Sequence, residues 1–267
     1  MPSITVNDID LYYELTGPKE APVVAFSNSI GTTLEMWDAQ AEALSAHYRC
    51  LRYDTRGHGR SAVADRPAVI GNLADDLAGL LDALSMPMAH IVGLSLGGMT
   101  GQAFALRYPD RTRSLTLMAT AAYLPPAEGW EQRATIVCRD GMAAIADAVI
   151  SRWFTPPFAQ DFPEKVAAVR KRFLEMDPRG YAVCCRVIRD MDLRQDIGLI
   201  TTPTLIIAGA DDLATPVALM EDIRTRIANS ELVVLPRAAH ILAIEQADRV
   251  NRHLISFLGA AAARPGH

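Results

Sequence analysis

The chain has 267 residues, 50% of them hydrophobic, which is enough to bury the core of one sizeable domain with an insertion. The formal net charge of −5 argues against nucleic acid as a partner. No apolar run reaches the length of a membrane span, and the N-terminus lacks the basic and apolar regions of a signal peptide. We therefore expect a cytoplasmic protein without a membrane partner. The four cysteines show no metal-ligand spacing, and we expect neither a metal nor a cofactor.

Strands and helices alternate through the first part of the chain. Apolar runs predict strands, and leucines repeating at a period near 3.6 over 73–84 predict a helix. The predicted elements are a hairpin over 4–15, strands at 22–26, 48–53, 91–92 and 114–118, and helices at 36–46, 72–84 and 99–108. This alternation is typical of a parallel sheet with right-handed crossovers.

The alternation stops between residues 121 and 196, where the sequence is helical in tendency and rich in proline. It resumes with a strand at 204–208, a helix at 217–228, a strand at 231–235 and a last helix that ends near residue 258. We therefore predict an α/β core made of residues 1–120 and 197–267, with a helical lid formed by residues 121–196. Because ligands bind beyond the carboxyl ends of parallel strands, such a lid would cover the site.

The most informative stretch is Gly93-Leu94-Ser95-Leu96-Gly97. A strand enters it and a helix leaves it, which is the context of the nucleophile elbow of α/β-hydrolases. Without this context the Gly-x-Ser-x-Gly pattern is common in loops, and glycine-rich loops can bind phosphate. A phosphate-binding P-loop, however, ends in Gly-Lys-Ser/Thr, which is absent here. The context predicts Ser95 as a catalytic nucleophile in an α/β-hydrolase fold.

The partners of this serine should follow in the order acid and then histidine. His240 follows the end of the strand at 231–235 after the short loop 236–239, whereas His58 precedes the serine and is expected to stabilise its own glycine-rich loop. Asp211 and Asp212 both follow the strand at 204–208. We favour Asp212 as the triad acid because it fits the Gly-x-x-Asp pattern of such loops, which leaves Asp211 as a loop or helix-cap residue.

Two backbone N–H groups are candidates for an oxyanion hole. One belongs to Leu96, directly after the nucleophile, and the other to Ile30, in the polar loop after the strand at 22–26. Side chains of Asn28 and Ser29 in this loop are predicted to add hydrogen bonds to the substrate. An ordinary polar turn is the alternative interpretation of these residues.

The chain resembles the 3-oxoadipate enol-lactonase family over nearly its whole length. The resemblance includes short segments of the predicted lid, and these are more specific to the family than the motifs shared by all α/β-hydrolases. The similar segments are 27–32 (SNSIGT), 51–59 (LRYDTRGHG), 93–99 (GLSLGGM), 152–155 (RWFT), 180–182 (GYA) and 189–194 (RDMDLR). The chain departs from the family in having Leu96 in place of methionine and an apolar string, 241–243, after the histidine.

This resemblance implies a serine hydrolase that opens a carboxylate-bearing enol-lactone during the breakdown of aromatic compounds. Arg133 is then a candidate for binding the substrate carboxylate, and Trp130 and Trp153 for an apolar wall of the pocket. An arginine exposed to solvent and two tryptophans in the lid core are the alternatives. A general carboxylesterase or a C–C bond hydrolase stays open on the same fold. A dehalogenase would need aspartate at position 95, and a binding protein that is not an enzyme would be expected to lack a triad residue.

Overall fold

A computed structural model describes residues 3–64 and 66–262 and contains one eight-stranded sheet. The strands run in the spatial order β1-β2-β4-β3-β5-β6-β7-β8. Strands β4 to β8 and β3 are mutually parallel, whereas β2 is antiparallel to β1 and β4. The strands are β1 (Ser3–Val6), β2 (Ile9–Thr16), β3 (Val23–Ser27), β4 (Arg49–Tyr53), β5 (Ala89–Leu94), β6 (Thr112–Met118), β7 (Thr204–Gly209) and β8 (Ser230–Leu235). The predicted α/β class is confirmed.

Helices cover both faces of this sheet. On β5, Ile91 packs into the core that contains α2 (Ile70–Ala83), α3 (Leu96–Arg107) and α9 (Val217–Arg226). Val92 packs into the core that contains α1 (Asp38–Leu44) and α11 (Ala247–Ala262). Neighbouring strand residues point to opposite faces, so a strand buried on both sides reads as a continuous apolar run. The core helices are α1 (Asp38–Leu44), α2 (Ile70–Ala83), α3 (Leu96–Arg107), α9 (Val217–Arg226), α10 (Leu242–Glu245) and α11 (Ala247–Ala262).

Five further helices lie between β6 and β7. They are α4 (Ala127–Asp140), α5 (Ala143–Ile150), α6 (Pro156–Asp161), α7 (Pro163–Leu174) and α8 (Pro178–Asp190). Prolines that punctuate this part of the sequence stand at the first position of α6, α7 and α8, where the missing N–H costs no helical hydrogen bond. These helices are held close to the core: a Cβ on Gly180 of α8 would lie 2.1 Å from the carbonyl oxygen of Gly57.

Several element boundaries differ by a few residues from the sequence prediction; α3, for example, begins at Leu96 and not at residue 99. The helix expected to begin at residue 36 is a 3₁₀ turn over Leu34–Trp37 that leads into α1. The last helix continues through Gly259 to Ala262, beyond the predicted end near residue 258. Among residues 3–64 and 66–262, no helix combines the length and the hydropathy needed to cross a membrane.

Candidate active site

Ser95 occupies the sharp turn between β5 and α3. Its backbone has φ 56° and ψ −115°, a conformation that a non-glycine residue rarely adopts. Two hydrogen bonds hold the turn: the Ser95 N–H donates to the Met118 carbonyl at 2.9 Å, and Thr120 Oγ1 donates to the Ser95 carbonyl at 2.7 Å. Ser95 is thereby fixed at the carboxyl end of the central strand, with its side chain at the wall of a pocket.

Glycines on both sides make this turn possible. A Cβ on Gly93 would lie 2.1 Å from the Gly97 carbonyl oxygen, and a Cβ on Gly97 would lie 2.0 Å from the carbonyl oxygen of Ser27. Both distances are far below van der Waals contact, so a side chain at either position would force the backbone apart. The spacing of the motif therefore follows from the shape of the turn.

His240 and Asp212 meet at the carboxyl ends of β8 and β7. The Nδ1–H of His240 donates to Asp212 Oδ2 at 2.9 Å. Thr215 completes this contact, because its hydroxyl donates to the same Oδ2 at 2.7 Å and lies 3.3 Å from Nδ1. The hydrogen bond fixes the tautomer and leaves Nε2 unprotonated in the neutral ring. Asp211 is exposed, and His240 pairs with Asp212 and not with Asp211.

The carboxylate of Asp212 is held in its charged form. Burial alone would raise its pKa, but the His240 ring beside it and hydrogen bonds from Thr215 together lower the pKa below its ordinary value. Oδ1 accepts the N–H groups of Ala214 at 2.7 Å and Thr215 at 3.0 Å. A buried anion with its lone pairs occupied can orient an imidazole and stabilise the imidazolium that forms when the ring takes a proton.

The loop after β3 lies beside Ser95 and is fixed by His58. The Gly31 N–H donates to His58 Nε2 at 2.9 Å, and His58 Nδ1–H donates to the Arg56 carbonyl at 3.2 Å. Burial lowers the pKa of His58 to about 4, so the ring stays neutral and keeps its acceptor. Ile30 precedes Gly31 and lines the pocket next to Ser95. His58 thus stabilises two loops, its own and the one that carries Ile30.

Asn28 and Ser29 occupy a different place from the one predicted. Neither lines the pocket, and both are buried. The Asn28 amide donates to the Tyr53 carbonyl at 2.8 Å and accepts from the Trp37 indole N–H at 2.9 Å, so its side chain holds the loop from within. The Ser29 hydroxyl is buried without a hydrogen-bond partner among the described residues. The predicted side-chain contacts with substrate are therefore not supported by the geometry.

Ser95 and His240 line a pocket of about 260 Å³ whose roof comes from the helical insertion. Trp130, Arg133 and Trp153, all predicted to contact substrate, also line it. Trp130 is anchored by its indole N–H, which donates to the Leu124 carbonyl at 2.9 Å. Trp153 is buried and packs edge-on against Phe173. The remaining lining residues are Ile30, Leu124, Pro125, Pro126, Gly129, Val149, Arg152, Tyr181, Leu213, Ala214 and Thr215.

A second arginine, Arg152, also lines the pocket and was not among the residues predicted from sequence to contact substrate. Among the described residues, neither Arg133 nor Arg152 has a carboxylate within ion-pair distance, whereas Arg186 and Arg189 of the same helical insertion both pair with Glu131. Arg133 lies 4.6 Å above the Trp130 ring centroid. Two cations at one pocket, neither with a carboxylate partner in the described part of the chain, favour an anionic ligand.

Tyr181 adds a polar group to this wall. It is fully buried on α8 and lines the pocket. Burial raises the pKa of its phenol despite the opposing charge of Arg133, so the hydroxyl stays protonated and can donate a hydrogen bond. No group of three or more His, Cys, Asp or Glu side chains in the described part of the chain is arranged to hold a metal ion.

The sequence profile of the alpha/beta hydrolase fold family matches residues 22–169. The chain belongs to the alpha/beta hydrolase family. This hydrolase is 38% identical over 249 residues to 3-oxoadipate enol-lactonase 2 of Acinetobacter baylyi, and the match covers 93% of each chain. It superimposes on the crystal structure of the enol-lactonase from Burkholderia xenovorans LB400 with a TM-score of 0.95, at 41% identity over 97% of this chain and 100% of the other. The resemblance to enol-lactonases predicted from sequence is confirmed.

A second group of relatives carries a different name. A putative carbamate hydrolase RutD from Variovorax paradoxus is 30% identical over 264 residues, which is 96% of this chain and 98% of that protein. All of these relatives are hydrolases, and so is this chain. Because these relatives carry different names on one fold, membership of the family does not identify the substrate.

Proposed function

We propose that this hydrolase opens 3-oxoadipate enol-lactone to 3-oxoadipate, a step in the breakdown of aromatic compounds. One observation carries the proposal. Ser95 and His240 share a pocket with two arginines, Arg133 and Arg152, that lack a carboxylate partner among the described residues. The substrate has the two features that such a pocket selects, an activated carbonyl and a free carboxylate.

In the first half-reaction, Ser95 Oγ attacks the lactone carbonyl while His240 Nε2 takes the hydroxyl proton. Asp212 holds the ring and stabilises the imidazolium. The negative oxygen of the tetrahedral intermediate would accept hydrogen bonds from the backbone N–H groups of Leu96 and Ile30, and losing one such donor typically costs about 2.7–4 kcal/mol. The ring C–O bond then breaks and the oxygen leaves as an enolate. The proton that His240 Nε2 took from Ser95 passes to this leaving group, which returns the imidazole to its neutral form, and the resulting enol becomes a ketone.

In the second half-reaction, water attacks the acyl group on Ser95. His240 takes a proton from this water and returns one to Ser95 Oγ as the C–Oγ bond breaks. The product is a dicarboxylate. An enolate is a better leaving group than an ordinary alkoxide, so His240 matters more as a base than as an acid in the first half-reaction.

The guanidinium groups of Arg133 and Arg152 support a substrate that carries a carboxylate. A guanidinium can bind a carboxylate through two parallel hydrogen bonds, and the Tyr181 hydroxyl can add a third donor. Trp130 and Trp153 supply apolar walls for the carbon skeleton between the carboxylate and the reacting carbonyl. We expect Arg133→Ala to raise KM for the lactone by about 10- to 100-fold and to leave a neutral ester nearly unaffected.

The test follows the ultraviolet decay of 3-oxoadipate enol-lactone, generated in situ, with wild type and Ser95→Ala side by side. A neutral nitrophenyl ester is measured in parallel. Arg139→Ala is the matched control for Arg133→Ala, because Arg139 lies on the same helix but is exposed and pairs with Asp140. Lactone turnover that disappears in Ser95→Ala is the expected result.

Ester cleavage without lactone turnover would reject the substrate and leave a general carboxylesterase as the function. Turnover of a small carbamate in place of the lactone would instead align the enzyme with its carbamate hydrolase relatives. Equal losses on lactone and neutral ester in Arg133→Ala would show that this arginine supports the lid and does not bind the carboxylate.

A further inference from the structure

Glu245 is a buried carboxylate that the proposed mechanism does not use. It ends α10, five residues after His240, and has no cation within ion-pair distance among the described residues. Its three hydrogen-bond donors come from two separate parts of the molecule. Oε2 accepts the Ala239 N–H at 2.6 Å, and Oε1 accepts the Thr155 N–H at 2.9 Å and the Thr155 hydroxyl at 2.5 Å.

These two parts are the loop of the histidine and the wall of the pocket. Ala239 directly precedes His240, and Thr155 caps the N-terminus of α6 two residues after Trp153. A second bond joins the same segments, because the Ile241 N–H donates to the Trp153 carbonyl at 3.0 Å. The backbone on both sides of His240 is therefore tied to the lid segment that presents Arg152 and Trp153 to the pocket.

A carboxylate suits this position better than an amide does. All three partners of Glu245 donate, and a carboxylate offers acceptors on both oxygens. A glutamine would turn its NH₂ group either toward the Ala239 N–H or toward Thr155, and two donors would then face each other in a buried space. One side of the bridge would open, although size and shape are preserved.

We propose that Glu245 is a positioning residue that locks His240 and the 152–155 wall of the pocket into one unit, so that the base and the bound substrate keep a fixed separation. The proposal rests on the proposed triad but not on the identity of the substrate. Opening the bridge lets the His240 loop move relative to Ser95, and a displacement of about 1 Å can lower the rate up to about 100-fold. The expected loss is in kcat, on neutral and carboxylate substrates alike.

The experiment compares Glu245→Gln with Glu221→Gln, an exposed glutamate of α9 that loses the same charge. Three readouts are taken: kcat and KM on lactone and nitrophenyl ester, Tm, and the rate at which a fluorophosphonate labels Ser95. Labelling by the fluorophosphonate requires His240 to act as the base at Ser95, but it does not require a substrate to contact the lid. We expect Glu245→Gln to lower kcat on both substrates and the labelling rate by the same factor, with KM nearly unchanged, and Glu221→Gln to match wild type.

Thr155 provides the second arm if Glu245→Gln fails to fold. Thr155→Val removes one donor to Oε1 but leaves the Ala239 bond, and Thr155→Ser restores the hydroxyl. We expect the valine variant to lose part of the labelling rate and the serine variant to recover it. A raised KM or a lowered Tm with an unchanged labelling rate would overturn the proposal. If wild type fails to hydrolyse the lactone, the proposed function fails, while ester hydrolysis and labelling still decide the role of Glu245.

Discussion

Acid is expected to destabilise this hydrolase because two of its histidines are buried in the neutral form. Burial lowers the pKa of His58 from 6.5 to about 4, with a weaker opposing effect of the Arg56 carbonyl. Burial, with the charge of Arg113 acting in the same direction, lowers the pKa of His90 from 6.5 to about 4. In the unfolded chain both rings titrate near their ordinary value.

The direction in which the free energy of unfolding changes with pH follows from proton binding. Between about pH 6.5 and about pH 4 the unfolded chain binds more protons than the folded one, so the free energy of unfolding falls as pH falls through this window. For a pKa that moves from 6.5 to about 4, each histidine removes about 2 kcal/mol between about pH 7 and about pH 5, and about 3 kcal/mol once the window is crossed.

Urea unfolding followed by tryptophan fluorescence at about pH 7 and about pH 5 measures this loss. His58→Gln keeps an acceptor for the Gly31 N–H, and His90→Asn keeps a partner for the Ser114 hydroxyl, which lies 2.7 Å from His90 Nδ1. Each variant should lose about 2 kcal/mol of the pH dependence, whatever its own stability at neutral pH. A variant whose stability falls as steeply as that of wild type would refute the assignment of that histidine as buried and neutral.

Three further outcomes are expected. Asp212→Asn should lower kcat on the nitrophenyl ester by about 10⁴-fold with little change in Tm, because the imidazole loses its orienting carboxylate; a small loss would contradict the triad. Asn28→Ala should lower the free energy of unfolding by about 3 kcal/mol in urea, because the Trp37 indole N–H and a backbone carbonyl lose their partner. Gly97→Ala should abolish ester hydrolysis and lower Tm, since its Cβ would lie 2.0 Å from the Ser27 carbonyl oxygen; an active, equally stable variant would show that the turn adapts.

Local features of the sequence predicted the parts of the site that short-range sterics control. The turn at Ser95 needs small residues two positions before and two positions after it, so the motif is visible without a structure. Asp212 and His240 were predicted from their places after buried strands, because the carboxyl ends of parallel strands meet at one edge of a sheet. Their 2.9 Å contact is what that topology implies.

Side-chain direction was not predictable in the same way. Asn28 stands in the polar loop beside Ser95, yet its amide turns inward to Trp37 and Tyr53 and away from the pocket. A run of polar residues looks the same in a sequence whether its side chains face a ligand or form hydrogen bonds with buried backbone groups. Only the packing of β4 and the 3₁₀ turn against that loop decides between the two.

The sequence by itself predicted the alternating strands and helices of the sheet and the sharp turn at Ser95, because periodicity and glycine sterics act over a few residues. The tertiary structure alone decided which cations of the segment between β6 and β7 share the pocket with Ser95 and what holds the His240 loop. Arg152 joins Arg133 through the fold of the insertion, and Glu245 reaches Thr155 across 90 positions of the chain. Contacts of that range depend on how whole elements pack, and no local pattern encodes them.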